Sequence, residues 1–320
     1  MNYKLILSVK DAEDHSRWLE TRNMGIGGSD AAVIMGMNKY KSPYQLWLEK
    51  TGQVEPEDLS DNQYIYWGQK NEANIADWFS ETTGKKSKRM GTVQSNEHPF
   101  MVANVDRMIV GENAGLEIKT AGVSQYRYWK GDNIPDAYYC QCLHYMAVTG
   151  ADRWYIAVLL GGNEAIWKEI PRNEDDIQTL IEAEENFWDM VMTKTPPPVD
   201  GSSSCSQALA SKYLGDGSVD EIILDDFEPH LLKIRELTEL QDSLKSQIEE
   251  EKNIIKEAMG DSEKALIGNT GVVTWKATKP RETLSLSKLK KADDAMYQDL
   301  LAKGYITLSK PSRTFTVKFD

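Results

Sequence analysis

Cysteine is scarce in this 320-residue chain: Cys140, Cys142 and Cys205 are the whole set, and none forms a Cys-x-x-Cys pair. An odd, low count argues against a disulfide framework, and the spacing makes a structural zinc or iron–sulfur site unexpected. Such thiols fit a reducing cytoplasm. No apolar run approaches the ~18 residues of a membrane span. The opening MNYKLILSVK has a short apolar stretch at Leu5–Leu7 and no small-residue cleavage site, so a secretory signal is not expected. Positive charge is also in deficit. The formal net charge is −13, which taken alone argues against nucleic acid as a partner.

The deficit is uneven. Residues 264–320 carry 11 Lys/Arg against 5 Asp/Glu, a net of +6, which leaves −19 on residues 1–263. An acidic protein can still hold DNA where a groove is locally basic or metal ions offset phosphate charge. Hydrophobic residues at 40% and charged residues at 27% are ordinary for a globular protein, and the length is ample for a buried core.

Periodicity and punctuation outline the elements. Asp14–Arg22 reads as a helix with Trp18 and Leu19 inward. Gly25-Ile-Gly-Gly-Ser29 reads as a loop, with Ser29 as N-cap of a helix through Ala31, Val33 and Ile34. Further helices are expected at Tyr44–Thr51, Tyr66–Thr83, Asp136–Thr149 and Asp175–Met192. Strands are expected at Gly91–Gln94, Met101–Val110, Gly115–Lys119, Arg153–Leu160 and Glu164–Ile170, the last two forming a hairpin across Gly161-Gly162. That order predicts an α/β layered core, a mixed sheet flanked by helices. The Pro, Gly and Ser residues of 195–204 mark the clearest break. Beyond it the pattern predicts a long helix over Pro229–Met259, a β-hairpin (Ala265–Ile267 with Val272–Lys276), a helix over Ser287–Asp299 and a closing strand, Thr314–Phe319.

The chemistry concentrates at Asp106 and Glu117-Ile-Lys119. Side chains two apart on a strand share a face, so Glu117 and Lys119 point the same way. A turn at Gly111–Asn113 would bring Asp106 beside Glu117. Two carboxylates on adjacent strands suit a hard cation such as Mg²⁺. A pair of ions about 4 Å apart could clamp the attacking and leaving oxygens, with Lys119 orienting or deprotonating water and offsetting charge. The bland reading is a solvated charge row, and three companions weigh against it. Glu72 offers a third carboxylate. Gln141 and Tyr145, four apart on one helix, share a face that can hydrogen-bond or stack. Arg22 with Gly27-Gly28-Ser29-Asp30 makes an anion site, the obvious anion being a DNA phosphate. His144 reads as structural, and Cys140 and Cys142 as small core residues.

Taken in order, Arg22-x-x-Gly25-Ile-Gly-Gly-Ser29-Asp30-Ala31-Ala32, Gly68-x-x-x-Glu72, Asp106 with Gly115-Leu-Glu-Ile-Lys119-Thr, and Gln141-x-x-His144-Tyr145 resemble the YqaJ-type viral recombinase family, which contains lambda exonuclease and its phage and prophage relatives. The resemblance covers roughly residues 14–195. Val272-Val273-Thr274-Trp275 and Arg313-x-Phe315 also look like tails of phage members. It implies a PD-(D/E)xK, restriction-endonuclease-like core over 1–198 and a C-terminal extension over 199–320. It also implies 5′→3′ digestion of linear double-stranded DNA, leaving 3′ single-stranded overhangs. Two Mg²⁺ ions per site, Mn²⁺ able to substitute, a ring-shaped homotrimer and a phage single-strand annealing partner in a bacterial host belong to the same expectation. By motif, Asp106, Glu117, Glu72 and the Ile118 carbonyl would bind metal, and Lys119 would be catalytic. Arg22, Ser29 and Gln141, with Tyr145 beside them, would meet the 5′-phosphate or nearby backbone. Asn104 stands where relatives can carry a small hydroxyl residue, and Val105 where the proline of the fold's name would stand.

Two other readings fit these residues. One is a structure-specific endonuclease or junction resolvase of the same fold; a terminal-phosphate site at Arg22 and Ser29 favours an end-binding enzyme over it. The other is a DNA-binding assembly protein with a degenerate site, which the intact Asp/Glu/Lys set opposes. An iron–sulfur nuclease would need four cysteines, and the chain has three.

Overall fold

Local capping rules place most elements of the computed structural model, which describes all residues except 1, 12, 13, 58, 60, 214–220, 281, 309–314, 318 and 320, and the side chains of 15 and 19. The inward role expected of Leu19, the charge of Arg281, the tail residue Arg313 and much of the expected strand Thr314–Phe319 therefore lie outside the described residues. In chain order the first part comprises β1 (Tyr3–Leu7), α1 (His15–Asn23), α2 (Gly28–Ile34), α3 (Pro43–Lys50), α4 (Gln63–Thr83), β2 (Ser87–Arg89), β3 (Thr92–Ser95), β4 (Val102–Asn104), β5 (Arg107–Ile109), β6 (Ala114–Ala121), α5 (Asp136–Thr149), β7 (Arg153–Leu160), β8 (Glu164–Pro171), α6 (Glu174–Met192) and α7 (Ser203–Lys212).

The chain divides into two compact units, Met1–Leu214 and Gly215–Asp320. In the first, five strands form a mixed sheet in the order β2-β5-β6-β7-β8, parallel only between β6 and β7. A second sheet, β1-β3-β4, is antiparallel. Alternation divides the first sheet's two faces. Leu116, Ile118, Tyr155 and Ala157 pack with Ile75, Ala76 and Phe79 of α4. Ile156 and Val158 pack with Cys142, Tyr145 and Met146 of α5. This is the expected mixed sheet flanked by helices. The second unit holds α8 (Glu228–Met259), the hairpin β9 (Lys264–Ile267) and β10 (Gly271–Thr274), α9 (Leu286–Ala292) and α10 (Asp294–Ala302). No helix among the described residues is long and apolar enough to cross a membrane.

The differences from expectation have local causes. The strand expected over Met101–Val110 is two strands, broken at Val105-Asp106, and its halves lie in different sheets. The helix expected over Ser287–Asp299 is two helices, with Asp293 capping the second by accepting from the Met296 N–H. Ser29 is not an N-cap. Gly27 holds that place, and the Asp30 carboxylate accepts from the Gly27 N–H at 3.1 Å, so Ser29 lies inside the first turn with its hydroxyl released for other partners. β1, β2 and α7 lie in segments where the sequence suggested no element. α7 docks on α3, where the Ser42 N–H donates to the Ser204 hydroxyl at 2.9 Å.

Candidate active site

The break at Asp106 builds the site. The β5–β6 ladder pairs Arg107 with Leu116 and goes no further toward Asp106. Beyond it the Asp106 side chain takes over, its Oδ2 accepting the Ile118 N–H at 2.9 Å. Asp106 thus lies next to Glu117 without a regular strand carrying it there. Glu117 is 2% exposed, and its Oε1 lies 2.5 Å from Lys119 Nζ. Lys119 Nζ also sits 5.1 Å from the Tyr138 ring centroid. Alternation along β6 turns Glu117 and Lys119 toward α5, as the spacing predicted.

The electrostatics are those of two buried carboxylates and one ammonium. Burial pushes the Asp106 carboxyl well above the usual carboxylate range, and the Glu117 charge pushes it further. Burial alone would lower Lys119, but Glu117 and Asp106 outweigh it and raise its pKa, so it stays an ammonium donor. No N–H or hydroxyl meets the buried Glu117 Oε2, and the Asp106 carboxyl shares a hydrogen bond with Glu117 only by keeping its proton. A buried acceptor of this kind is costly unless a cation or donor meets it. An orphaned oxygen, two buried carboxyl groups that resist ionising together and an all-oxygen donor set fit a hard divalent cation.

Glu72 stands apart. It belongs to α4, which covers the opposite face of the sheet. Its Oε1 lies 3.6 Å from Arg107 Nη2 and 3.9 Å from Arg89 Nε. Its carboxyl is raised by burial and then by the Asp106 charge, partly offset by the two arginines. Among the described residues no three His, Cys, Asp or Glu side chains gather closely enough to hold a metal by themselves.

The other expected contacts fall around this pair. The Gln141 Nε2 donates to the Tyr145 hydroxyl at 2.8 Å, as their helical spacing allows. Tyr145 is 3% exposed, its ring 5.3 Å from that of Trp154. The structure therefore places Tyr145 in the core, and Gln141 is the more accessible of the two. Asn104 ends β4, and its carboxamide oxygen accepts from the Thr92 hydroxyl, which leaves its NH₂ as the group able to meet a phosphate.

The loop before α2 is pinned rather than loose. The Ile26 N–H donates to Phe100 O at 2.7 Å, and the Val102 N–H to Ile26 O at 2.9 Å. Gly25 is required there, because a Cβ would stand 2.2 Å from Phe100 O. Arg22, in the last turn of α1, donates from Nη2 to the Ser29 hydroxyl at 3.2 Å and lies over Trp18. α2 has only seven residues, so the guanidinium and hydroxyl carry this site more than a helix dipole does.

Sequence reasoning missed two features here. Lys50 and Asp30 form a buried ion pair behind Arg22, at 2.9 Å. A lysine in a helix's last turn reads as solvent-facing, and only its burial gives it away. Arg107 follows Asp106 directly, and its Nε is buried without a hydrogen-bond partner; nothing in the local pattern separates it from a surface arginine.

A family model described as the YqaJ-like viral recombinase domain matches residues 17–152. The chain is 39% identical over 273 residues to the uncharacterized protein YqaJ of Bacillus subtilis (strain 168), covering 82% of this chain and 84% of that one. Among solved structures it is similar to an alkaline exonuclease, LHK-Exo, from Laribacter hongkongensis. The TM-score is 0.50 at 16% identity, covering 56% of this chain and 93% of that one. At that identity the likeness is one of fold. The identity to YqaJ runs through both units, and with it the chain belongs to the YqaJ-like viral recombinase family.

Proposed function

We propose that this chain is a Mg²⁺-dependent DNA exonuclease that enters linear duplex at a 5′-phosphorylated end and digests 5′→3′, leaving 3′ overhangs for annealing-type recombination. The observation that carries the reading is the orphaned, buried Glu117 Oε2 beside Asp106, with Lys119 as their cationic neighbour. Membership of a viral recombinase family supports it, as does the fold shared with a protein described as an alkaline exonuclease.

Asp106, Glu117 and the Ile118 carbonyl would hold the metal, two ions per site, with Mn²⁺ able to substitute. Glu72 would join them only by leaving Arg89 and Arg107. When bound, the cation polarises the phosphodiester and makes a coordinated water more acidic. Lys119 keeps a positive charge next to Glu117 and offsets the charge that grows on the phosphate oxygens. In the metal-free protein its raised pKa keeps it a donor able to orient water. Arg22 and Ser29 grip the terminal phosphate, while Gln141 and the Asn104 amide contact nearby backbone. Tyr145 fixes the Gln141 amide through its hydroxyl. The first unit, which takes in α7 as well as the expected 1–198, forms the nuclease core, and the second unit an extension. Three copies close a ring around duplex, and a single-strand annealing protein takes the exposed strand.

Nucleotide release from linear duplex with Mg²⁺ tests this. Asp106→Ala and Lys119→Ala each abolish release while the protein keeps a cooperative melt, because both act on charge rather than packing. Near-wild-type digestion by folded Asp106→Ala would sink the assignment. Arg22→Ala lowers the preference for phosphorylated over dephosphorylated ends.

A further inference from the structure

Lys50 closes α3 with its side chain only 4% exposed. Its three N–H donors meet three acceptors: Gly25 O at 2.6 Å, Arg22 O at 3.0 Å and Asp30 Oδ2 at 2.9 Å. Asp30 is equally buried, and its Oδ2 also accepts the Gly27 N–H. Its other oxygen, Oδ1, faces Arg22 Nη2 at 3.8 Å, too far for a hydrogen bond. Burial works against the Asp30 charge, but Lys50, Arg22 and the Gly27 N–H outweigh it and hold its carboxyl below the usual range. His144 and Glu184 also lie within electrostatic reach of Asp30, and they are engaged with each other.

The three charges are therefore not equivalent. Lys50 and Asp30 cancel in the interior. Arg22, about a third exposed, is the one whose donors reach outward, toward Ser29. Without Lys50, the buried Asp30 carboxylate would face Arg22 as its nearest remaining cation. A guanidinium closes readily and bidentately on a carboxylate, and a buried unpaired carboxylate is strongly unfavourable. Arg22 would then turn from Ser29 to Asp30.

We propose that Lys50 is a positioning residue for the terminal-phosphate site: by neutralising Asp30 it leaves the Arg22 guanidinium available to a 5′-phosphate. This rests on the reading of Arg22 and Ser29 as phosphate contacts. The charge count gives a signature that simple packing would not. Lys50→Met sequesters Arg22 on Asp30, and the preference for a phosphorylated end falls about tenfold, mainly through KM. Lys50→Met combined with Asp30→Asn removes the competing carboxylate and both buried charges, so the preference returns to within about threefold of wild type.

The experiment measures digestion of one linear duplex, 5′-phosphorylated or dephosphorylated, by wild type, Lys50→Met and the double variant with Mg²⁺, each checked for a cooperative melt. Wild type with no preference between ends overturns the phosphate-site reading itself. A wild-type preference kept by folded Lys50→Met overturns the role of Lys50 alone. If Lys50→Met does not fold, the double variant decides: a retained preference supports the proposal, and a lost one in folded protein overturns it.

Discussion

The Tyr145 ring occupies the space that a side chain on Gly28 would need: a Cβ built there stands 2.5 Å from Tyr145 Cε1 and 2.8 Å from Cζ. One aromatic side chain therefore packs against the first turn of α2 and also lies within electrostatic range of Glu117 and Asp106. Burial, then those two charges, push its hydroxyl pKa well up, so it stays protonated beside Gln141. Gly28→Ala must move the ring or the helix. The expected outcome is a loss of about 1–3 kcal/mol in thermal unfolding, with slower DNA digestion. Wild-type melting and wild-type rate together would contradict this contact.

Cation binding should release a proton. The folded, metal-free protein retains a proton on Asp106 at pH values where an ordinary carboxylate has lost it, because burial and Glu117 raise its pKa. A ligating carboxylate must be ionised. Affinity for Mg²⁺ or Mn²⁺ should thus rise with pH, by up to about tenfold per unit below the folded-state pKa. Calorimetry in two buffers of different ionisation heat reads the proton directly. Equal heats for wild type, or the same proton release from Asp106→Asn, would reject the linkage.

His144 and Glu184 form a fully buried pair. The His144 Nδ1 lies 2.8 Å from Glu184 Oε1, and its Nε2 lies 2.9 Å from Val102 O. Val102 O can only accept, so Nε2 donates, while the proton at Nδ1 is shared with a Glu184 carboxyl whose pKa burial also raises. Burial would lower the His144 pKa, but Glu184 outweighs burial and raises it above 6.5. The contribution to stability is fully present below pH 6.5, where the unfolded histidine is also charged, and is lost as pH rises through the folded value. His144→Asn should cost about 3–5 kcal/mol, as expected for breaking a buried pair. It should also flatten the fall in melting temperature above pH 6.5. A variant with the wild-type pH slope would show that the pair does not set it.

Nonspecific grip on duplex should come from the second unit. Lys276, Lys279, Lys288, Lys290 and Lys291 are exposed, and α9 carries the last three. Each phosphate contact steepens the salt dependence of binding by roughly 0.9 in log–log slope. Replacing Lys288, Lys290 and Lys291 with Gln should flatten the slope by up to about 3 and shorten digestion runs. An unchanged slope, with loss of trimer or partner binding instead, would assign this segment to protein contacts.

Features governed by neighbours in the chain were legible in the sequence. α5 and β7 fall at Asp136–Thr149 and Arg153–Leu160, where period, capping and the glycine at 150 put them. Glu117 and Lys119 share a face because strand side chains alternate, and that needs no tertiary information. The order of short motifs was sufficient to reach the family.

Other features were decided only when distant segments met. Whether Lys50 is a surface lysine or a buried counter-ion depends on Asp30 and two carbonyls, which lie 20–28 residues earlier. Whether Glu72 faces Glu117 or arginines depends on which sheet face α4 covers. Asp106 interrupts a strand that local propensity would have run straight through, because its carboxylate accepts an N–H from β6. Local rules act over one turn or one strand pair and set element type and side-chain direction. Burial of charge, and with it the strength of every pairing at this site, depends on low-dielectric contacts that exist only once the chain has closed on itself.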